Sequence, residues 1–309
     1  MRSLPALVFT GLLATAIGAH ADSTAKVDQT GDSNTANIEQ SGPLNEALIR
    51  QNGDGNNGSI YQAENAESNV GTMVQLGSDN EASIYQSPDS HFATATVYQQ
   101  GTGNRAEVEQ TWYANDLQLS SVGDGNFIAA TQRGLAQAEA YQIGNDNSVT
   151  LSQDGIYHGT RLAVYQVGDE NLAALVQGDS GNLQLAQNGN LNTARIDQNA
   201  LFGEVVFNQA GDGNLLAVVQ SGRGHAFRGS STGNDNRVEL VQEFEGNQAS
   251  VVQVGDANLA DVRQTGEYSE ARITQSGDAN AAYINQAAAT VSAIIQQTGS
   301  GNLATINQQ

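Results

Sequence analysis

The sequence predicts an all-β protein: a β-solenoid of stacked 22-residue strand-turn-strand coils that form two facing parallel sheets. Three observations predict this fold. A glutamine returns every eleven residues, a glycine and an asparagine return every twenty-two, and charge is excluded from one face of every strand in the second half. Residue types that stay in phase over residues 187–309 indicate stacked structural repeats.

The glutamine column runs from residue 187 to the C-terminal end, and one of its positions, Ser231, is not a glutamine. Its glutamines are Gln187, Gln198, Gln209, Gln220, Gln242, Gln253, Gln264, Gln275, Gln286, Gln297 and Gln308. Two residues after alternate column positions stand Gly189, Gly211, Gly233, Gly255, Gly277 and Gly299. Five residues after the same positions stand Asn192, Asn214, Asn236, Asn258, Asn280 and Asn302. We expect Gly-x-x-Asn to form a turn and the amides to form hydrogen-bonded ladders from coil to coil.

Strand periodicity assigns each residue to an inward or an outward face, because successive side chains point to opposite sides. In the unit at residues 192–198 one face carries Asn, Ala, Ile and Gln, and the other carries Thr, Arg and Asp. Between residues 192 and 308 no inward position is Asp, Glu, Lys or Arg, and His225 is the one inward residue that could titrate. Because an unpaired buried charge costs several kcal/mol, this sorting predicts a dry core.

The first half of the chain carries the same repeat with irregular spacing. The column is less regular over residues 62–187 and regular over 187–309, and thirteen coils at the strand spacing of about 4.8 Å would make a rod roughly 60 Å long. Extra residues such as those at 87–89 should bulge at turns, since a slip within a strand would turn its core outward. Phe92, Trp112 and Tyr113 cluster here, either as local packing over a bulge or as a partner site.

Residues 1–21 are predicted to be a secretory signal peptide. Arg2 supplies a positive n-region, residues 4–17 an apolar stretch, and residues 19–21 a small-x-small site, with cleavage before Asp22. The apolar stretch is too short for a membrane anchor, so we expect no transmembrane segment in the mature chain, residues 22–309. Export without cysteines means that disulfides do not stabilise the protein outside the cell.

Composition argues against two classes of function. The net charge is −21 with 12 Lys+Arg, whereas nucleic-acid binding needs clustered cations. The four histidines, at positions 20, 91, 158 and 225, are scattered, and no catalytic, cofactor-binding or metal-ligating constellation recurs in register. We therefore expect neither nucleic-acid binding nor enzyme activity, and no cofactor.

The spacing Gln-x-Gly-x-x-Asn-x-Ala-x-x-x-Gln resembles the curlin repeat of bacterial curli fibre subunits. It is complete in units that begin at Gln29, Gln40, Gln75, Gln99, Gln166, Gln187, Gln253, Gln275 and Gln297. The resemblance implies that residues 22–309 are a curlin-type repeat domain of a secreted, amyloid-forming subunit of an extracellular cell-surface fibre. It also implies adhesion and biofilm matrix as the role, and self, a nucleator subunit and an outer-membrane secretion pore as partners.

The chain departs from the family pattern in three ways. A serine six residues before the column glutamine is clear only at Ser269, the Gly-rich segment between leader and repeats is missing, and the repeats are more numerous than in the best-known members. Major subunit, nucleator and adhesive relative therefore stay open as roles.

A monomeric secreted binding module is the alternative to a fibre subunit. Carboxylates follow the turn glycine at Asp32, Asp54, Asp124, Asp169, Asp212, Asp256 and Asp278, and neighbours would lie about 5 Å apart on adjacent coils. This column loosely resembles calcium-binding β-roll repeats, although the full Gly-Gly-x-Gly-x-Asp pattern is absent. An ice-binding face would need an outward Thr array that the chain lacks. Because the repeats run close to both ends, we expect open strand edges there, which favours polymerisation.

Overall fold

The computed structural model describes residues 13–16, 22–63, 65–178 and 180–309, and the regular structure in these ranges is β-strand. The strands are β1 Leu13–Ala16, β2 Thr24–Thr30, β3 Thr35–Gln40, β4 Glu46–Asn52, β5 Asn57–Gln62, β6 Val70–Ser78, β7 Glu81–Gln86, β8 Thr94–Thr102, β9 Arg105–Thr111, β10 Asp116–Val122, β11 Phe127–Ile143, β12 Ser148–Val167, β13 Leu172–Gly178, β14 Gly181–Asn188, β15 Thr193–Leu201, β16 Gly203–Ala210, β17 Leu215–Arg223, β18 Ala226–Thr232, β19 Arg237–Gln242, β20 Gln248–Val254, β21 Leu259–Gln264, β22 Glu270–Ser276, β23 Ala281–Gln286, β24 Ser292–Thr298 and β25 Leu303–Gln308. The predicted fold is confirmed: parallel coils stack into a β-solenoid of about 13 turns.

Each coil contributes one strand to each of two sheets. Sheet 1 contains the even-numbered strands from β2 to β10, the second halves of β11 and β12, and the even-numbered strands from β14 to β24. Sheet 2 contains the odd-numbered strands from β1 to β9, the first halves of β11 and β12, and the odd-numbered strands from β13 to β25. β11 and β12 are long enough to bend around a corner and pair in both sheets.

The core lies between the two sheets and runs the length of the stack. Its members are mainly Ala, Val, Ile and Leu at inward positions, and in sheet 2 the column Val218, Leu240, Val262 and Ile284 is at most 1% exposed. Each such side chain stabilises the fold by about 1.5–3 kcal/mol relative to exposure. The strands alternate buried and exposed residues, as in the pattern of β23.

Charge is excluded from the core in both halves of the molecule. Among the described residues no Asp, Glu, Lys or Arg is buried, and His225 is the one buried titratable side chain. The sequence predicted this sorting only from residue 192 onward. The irregular first half obeys it too. Two of its insertions lie in the turns between β5 and β6 and between β7 and β8, and a third lies at the corner of β12, where the pairing with β11 shifts between Gly134 and Ala136. Across the first two insertions the register is kept, with Gln62 paired to Gln86 and Gln86 to Gln110.

The predicted leader lies outside the described residues, apart from residues 13–16. These form β1, which pairs in parallel with residues 37–40 of β3 at the first edge of sheet 2. With this segment of the predicted leader in place, the outer edge of β3 is partly paired. In the described ranges there is no helix that is both long enough and apolar enough to cross a bilayer.

Candidate functional site

The eleven-residue glutamine column divides into two buried columns, one in each sheet, because consecutive positions fall on opposite sheets. The sheet 2 column is Gln40, Gln62, Gln86, Gln110, Gln132, Gln153, Gln177, Gln198, Gln220, Gln242, Gln264, Gln286 and Gln308. The sheet 1 column is Gln29, Gln51, Gln75, Gln99, Ser121, Gln142, Gln166, Gln187, Gln209, Ser231, Gln253, Gln275 and Gln297.

The sheet 2 column is one continuous ladder. Each Nε2 donates to the Oε1 of the glutamine in the next coil at 2.7–3.2 Å, through twelve consecutive hydrogen bonds from Gln40 to Gln308. The same Nε2 also reaches a main-chain carbonyl, as Gln264 does at Gln248 O, 3.1 Å away. A buried amide is therefore satisfied by its own column, so its desolvation is compensated.

The sheet 1 ladder is interrupted at its two serines. The hydroxyl of Ser121 donates to Gln142 Oε1 at 3.2 Å, and that of Ser231 donates to Gln253 Oε1 at 2.8 Å. The amides of Gln99 and Gln209 instead donate to main-chain carbonyls. Sheet 2 thus carries the uninterrupted amide column of this molecule.

The Gly-x-x-Asn segments other than Gly42–Asn45 connect sheet 1 to sheet 2 and form a second ladder along one edge of the solenoid, here called the Asn edge. Its asparagines are Asn34, Asn56, Asn80, Asn104, Asn126, Asn147, Asn171, Asn192, Asn214, Asn236, Asn258, Asn280 and Asn302. Asn236 Oδ1 accepts the main-chain N–H and the Nδ2 of Asn258, at 3.0 and 3.1 Å, and its own Nδ2 donates to Gly255 O at 2.7 Å.

The turn glycines are required by both backbone angle and space. Gly255 has φ +116°, and a Cβ built on it would lie 2.3 Å from the carbonyl oxygen of Gly277 in the next coil. The glycines of the regular half, Gly189, Gly211, Gly233, Gly255, Gly277 and Gly299, share this positive φ. Only glycine allows coils to approach at the strand spacing here.

The carboxylates of the Asn edge act as main-chain acceptors. Asp256 Oδ1 accepts the N–H of Asn234 at 2.7 Å, and Asp278 Oδ1 accepts that of Asp256 at 2.9 Å. The acidic residues of these turns are Asp32, Asp54, Asp79, Asp124, Asp146, Asp169, Glu170, Asp212, Asp235, Asp256 and Asp278. In the described ranges no three His, Asp or Glu side chains converge as a metal site would require. These contacts give the Asp column a structural role in turn stacking.

One comparison with known proteins identifies a repeat family in the chain. Residues 233–266 match the family described as the curlin associated repeat. The protein therefore carries a curlin repeat. No curated protein matches it. The matched segment covers two Gly-x-x-Asn turns and the glutamines Gln242, Gln253 and Gln264, so the family pattern coincides with the ladders described above. Both the curlin repeat and the β-solenoid are structural rather than enzymatic in kind.

The curlin-repeat protein has a partial third column that sequence reasoning missed. It lies where sheet 2 returns to sheet 1 of the next coil, and includes the buried side chains of Asn45, Asn69, Asn115, His225, Asn247 and Ser269. The Asn247 Oδ1 accepts the N–H of Ser269 at 2.9 Å. The sequence pattern that could have revealed this column is an Asn six residues before a sheet 1 glutamine. Asn247 precedes Gln253 in this way.

His225 takes the place of an asparagine in this third column. Its Nε2 donates to Ser221 O at 2.9 Å, and its Nδ1 accepts the main-chain N–H of Asn247 at 3.3 Å. These partners fix a neutral ring protonated at Nε2. Burial lowers the pKa of His225 below its ordinary value, partly opposed by hydrogen bonds to the backbone.

The last coil of the curlin-repeat protein, formed by β24 and β25, has a strand neighbour on one side only among the described residues. Its inward Ala304 and Ile306 are only partly buried, and no next coil covers Gly299. Residues 279–309 contain no Asp, Glu, Lys, Arg or His, in a chain of net charge −21. This end therefore combines unfilled ladder positions with the absence of charge.

Proposed function

We propose that this protein is a self-assembling structural subunit of an extracellular, curli-type amyloid fibre that acts in cell adhesion and in the biofilm matrix. In this proposal the last coil of one copy stacks on the first coil of the next, so that the solenoid continues through the junction. The curlin-repeat family and the solenoid fold support the structural part of the proposal.

The observation that carries the proposal is the match between the first and last coils. Both coils present Ala, a β-branched residue and Gln inward in sheet 1, and Asn, Ala, Ile and Gln inward in sheet 2. The pairs are Ala293 with Ala25, Ile295 with Val27, Gln297 with Gln29, Asn302 with Asn34, Ala304 with Ala36, Ile306 with Ile38 and Gln308 with Gln40. A second copy would therefore meet the same residue types that adjacent coils meet within one chain.

The turn at the junction also supports stacking. Within the chain, the N–H of Asp278 donates to Ser300 Oγ at 3.3 Å, and the N–H of Asp32 donates to Asp54 Oδ1 at 2.8 Å. Continuing this pattern, the N–H of Ser300 would donate to Asp32 of the next copy. Because Ser300 is uncharged, no carboxylate faces another carboxylate at this turn of the junction. This favours the stacking of two acidic chains, since like charges repel each other.

Removal of the predicted leader is part of the proposed sequence of events. β1 pairs with residues 37–40, which are four of the six positions that β25 of another copy would take on β3. Cleavage before Asp22 would vacate these positions. A nucleator subunit and an outer-membrane secretion pore are the further partners that the family resemblance suggests, and the cell surface is the corresponding location.

Fibre diffraction and electron microscopy on the purified chain test the proposal. After incubation for days we expect filaments that bind amyloid dyes and diffract at about 4.7 Å along the fibre axis, the spacing of stacked strands. A protein that stays monomeric and dye-negative under the same conditions would contradict self-assembly and would favour a monomeric binding module.

A further inference from the structure

The outer face of sheet 1 carries an uncharged stripe along most of the solenoid. It consists of the outward residues directly before and after each member of the sheet 1 column, from Gln75 to Gln297. None of these 22 residues, two in each of eleven coils, is Asp, Glu, Lys, Arg or His. We call them the neutral stripe. Of the 22 outward residues that precede them on the same strands, seven are charged, among them Arg161, Arg228 and Arg272.

Burial within the chain does not account for this sorting, because the neutral stripe faces outward. Ile143 is 53% exposed, and Tyr165 and Val167 are each 43% exposed. The carboxylates of the Asn edge lie along one side of the stripe, and the seven charged residues lie along the other. A centre depleted of charge and a charged rim are typical of a surface that another protein covers.

The neutral stripe is suited to apolar contact. Its first five coils, within residues 74–167, carry mainly Val, Leu, Ile and Tyr, whereas its later coils carry mainly Ala, Ser, Thr and Asn. The rings of Tyr141 and Tyr165 stack with their centroids 5.3 Å apart. The Tyr141 hydroxyl donates to Gln118 Oε1 at 3.3 Å. The Tyr165 hydroxyl donates to Glu139 Oε2 at 3.2 Å. A partner could therefore cover both rings without leaving a hydroxyl unpaired.

The charge and the size of the stripe favour a second copy of the chain as its partner. Two copies of net charge −21 repel each other, and stripe against stripe is an approach that opposes no charged side chains at the centre of contact. Eleven coils at about 4.8 Å and two rows about 7 Å apart give about 700 Å² per copy. A standard interface buries about 800 Å² per partner. We propose that two copies associate side by side through the neutral stripe, around a two-fold axis parallel to the solenoid axis.

The charged rims favour this parallel pair. The two-fold axis sets the turn residue after each Asn-edge glycine opposite the residue three before the column glutamine, at the same level of the other copy. Arg272 then faces Asp278 of the other copy, and Glu139 faces the uncharged Asn145. The apolar coils of the two stripes also meet each other. The acidic rim of each copy is thus placed beside a row that contains arginines.

An antiparallel pair centred on the same stripe lacks these matches. It would set the two Asn edges side by side, with Asp124 opposite Asp256 and Asp169 opposite Asp212. It would also cover the apolar coils of each copy with the polar coils of the other. Opposed carboxylates destabilise an interface, so the charge pattern selects the parallel arrangement.

Cross-linking of freshly purified, unassembled full chain tests this arrangement. The chain has no cysteine, so Leu76→Cys introduces a single thiol, in the first coil of the neutral stripe. We expect a short bismaleimide to give a covalent dimer, because the two-fold axis brings both copies of position 76 together. Antiparallel pairing would separate these positions by about 50 Å, and end-to-end stacking by about 60 Å. Ser83→Cys, on the outer face of sheet 2 in the same coil, is the control and should give no dimer.

A pair of lysines in the stripe tests the same contact without changing the core. Ile143 and Val167 are neighbours in register, and both are exposed. Adding Ile143→Lys and Val167→Lys to Leu76→Cys should lower the yield of dimer at least about tenfold, since two ammonium groups would be desolvated at the contact. The matched control, Thr131→Lys and Ser152→Lys, places the same two charges in register on the outer face of sheet 2 and should leave the yield unchanged. Equal unfolding midpoints of the two lysine variants show that both fold.

The inference does not depend on end-to-end stacking, and the two can fail separately. Filaments without a Leu76→Cys dimer would refute side-by-side association alone, whereas the dimer without filaments would support it and count against fibre growth. A dimer yield that the stripe lysines leave unchanged would also overturn the proposal. Binding to phosphatidylcholine vesicles that these lysines abolish, with no dimer formed, would overturn it too and assign the neutral stripe to a lipid surface.

Discussion

At the scale of the residue, His225 shows how one side chain can make a uniform column sensitive to pH. Its neutral ring accepts the Asn247 N–H through Nδ1, and protonation at Nδ1 would set two N–H groups against each other. Burial holds the folded pKa below the ordinary value of 6.5, so the unfolded chain takes up the proton more readily. The stability that the neutral ring contributes is therefore complete above about pH 6.5 and is lost as the pH falls from there towards the folded pKa.

We predict that His225→Asn weakens the loss of stability between pH 7 and pH 5. Asparagine occupies the same position in the next coil as Asn247, whose side chain is fully hydrogen-bonded without titrating. The measurement is the denaturant midpoint of the unassembled protein at each pH. His158→Asn, at an exposed histidine, serves as the control and should follow the wild type. If His225→Asn loses as much stability as the wild type, the buried histidine is not a source of the pH dependence.

At the scale of the element, strand β25 allows two predictions to be tested together. One is which of its side chains face inward, and the other is that its outer edge is the growth face, the edge on which another copy docks. Ile306 is inward and half-buried, and Thr305 beside it is outward and exposed. Within the chain, Ile306 pairs with Ile284 of β23, which is 1% exposed because a further strand covers it. Docking of another copy would bury Ile306 in the same way.

We predict that Ile306→Lys and Thr305→Lys have unequal effects on seeded elongation. Lysine at 306 would place an unpaired ammonium in the dry column at the junction, which costs several kcal/mol unless the strand frays. Elongation should fall by at least about tenfold, since each 1.4 kcal/mol changes an equilibrium by a factor of about ten. Lysine at 305 faces water and should change the rate little. Equal rates for the two variants would mean that β25 does not form the growth face.

At the scale of the whole molecule, charge is segregated along the solenoid. Eleven acidic residues line the Asn edge, and residues 279–309 have no acidic or basic side chain. The carboxylates repel their counterparts on other copies, whereas the last coil offers an approach without that repulsion. Salt screens such long-range repulsion over about 8–10 Å at moderate ionic strength.

We predict that assembly is faster in moderate salt and at mildly acidic pH than in low salt at pH 7. Both conditions reduce the repulsion that follows from a net charge of −21, the first by screening and the second by protonating carboxylates. Dye-binding lag times measure the effect, with calcium and magnesium compared at equal ionic strength. Lag times that lengthen with salt would contradict this account. Acceleration by calcium beyond that of magnesium would indicate a specific cation site on the turn carboxylates.

Much of the fold follows from local patterns alone. The alternation of Asn, Ala, Ile and Gln with charged residues identifies strands and their inward faces without knowledge of contacts, because strand periodicity is two and buried charge is costly. The return of glycine and asparagine every twenty-two residues identifies the coil. The extra residues at 87–89 are predicted to bulge at a turn for the same reason, since a strand slip would invert the core, and they lie between β7 and β8.

The contacts between coils could not be obtained in this way. The period of eleven does not reveal that each glutamine amide also donates to a main-chain carbonyl, or that the hydroxyls of Ser121 and Ser231 donate to the next glutamine of the sheet 1 column. Likewise, the Asp that follows a turn glycine suggests a cation site in sequence. In the structure its oxygen accepts a main-chain N–H from the coil before it.

The sequence by itself determined the class of this protein, the coil length, the inward residues and the curlin-repeat resemblance, because each of these depends on periodicity along the chain. Only the tertiary structure decided which atoms pair between coils. His158 and Phe202 are separated by a stretch that includes irregularly spaced repeats, and their ring centroids lie 5.5 Å apart. Such contacts depend on how the coils accommodate the extra residues, which the periodicity along the chain does not encode.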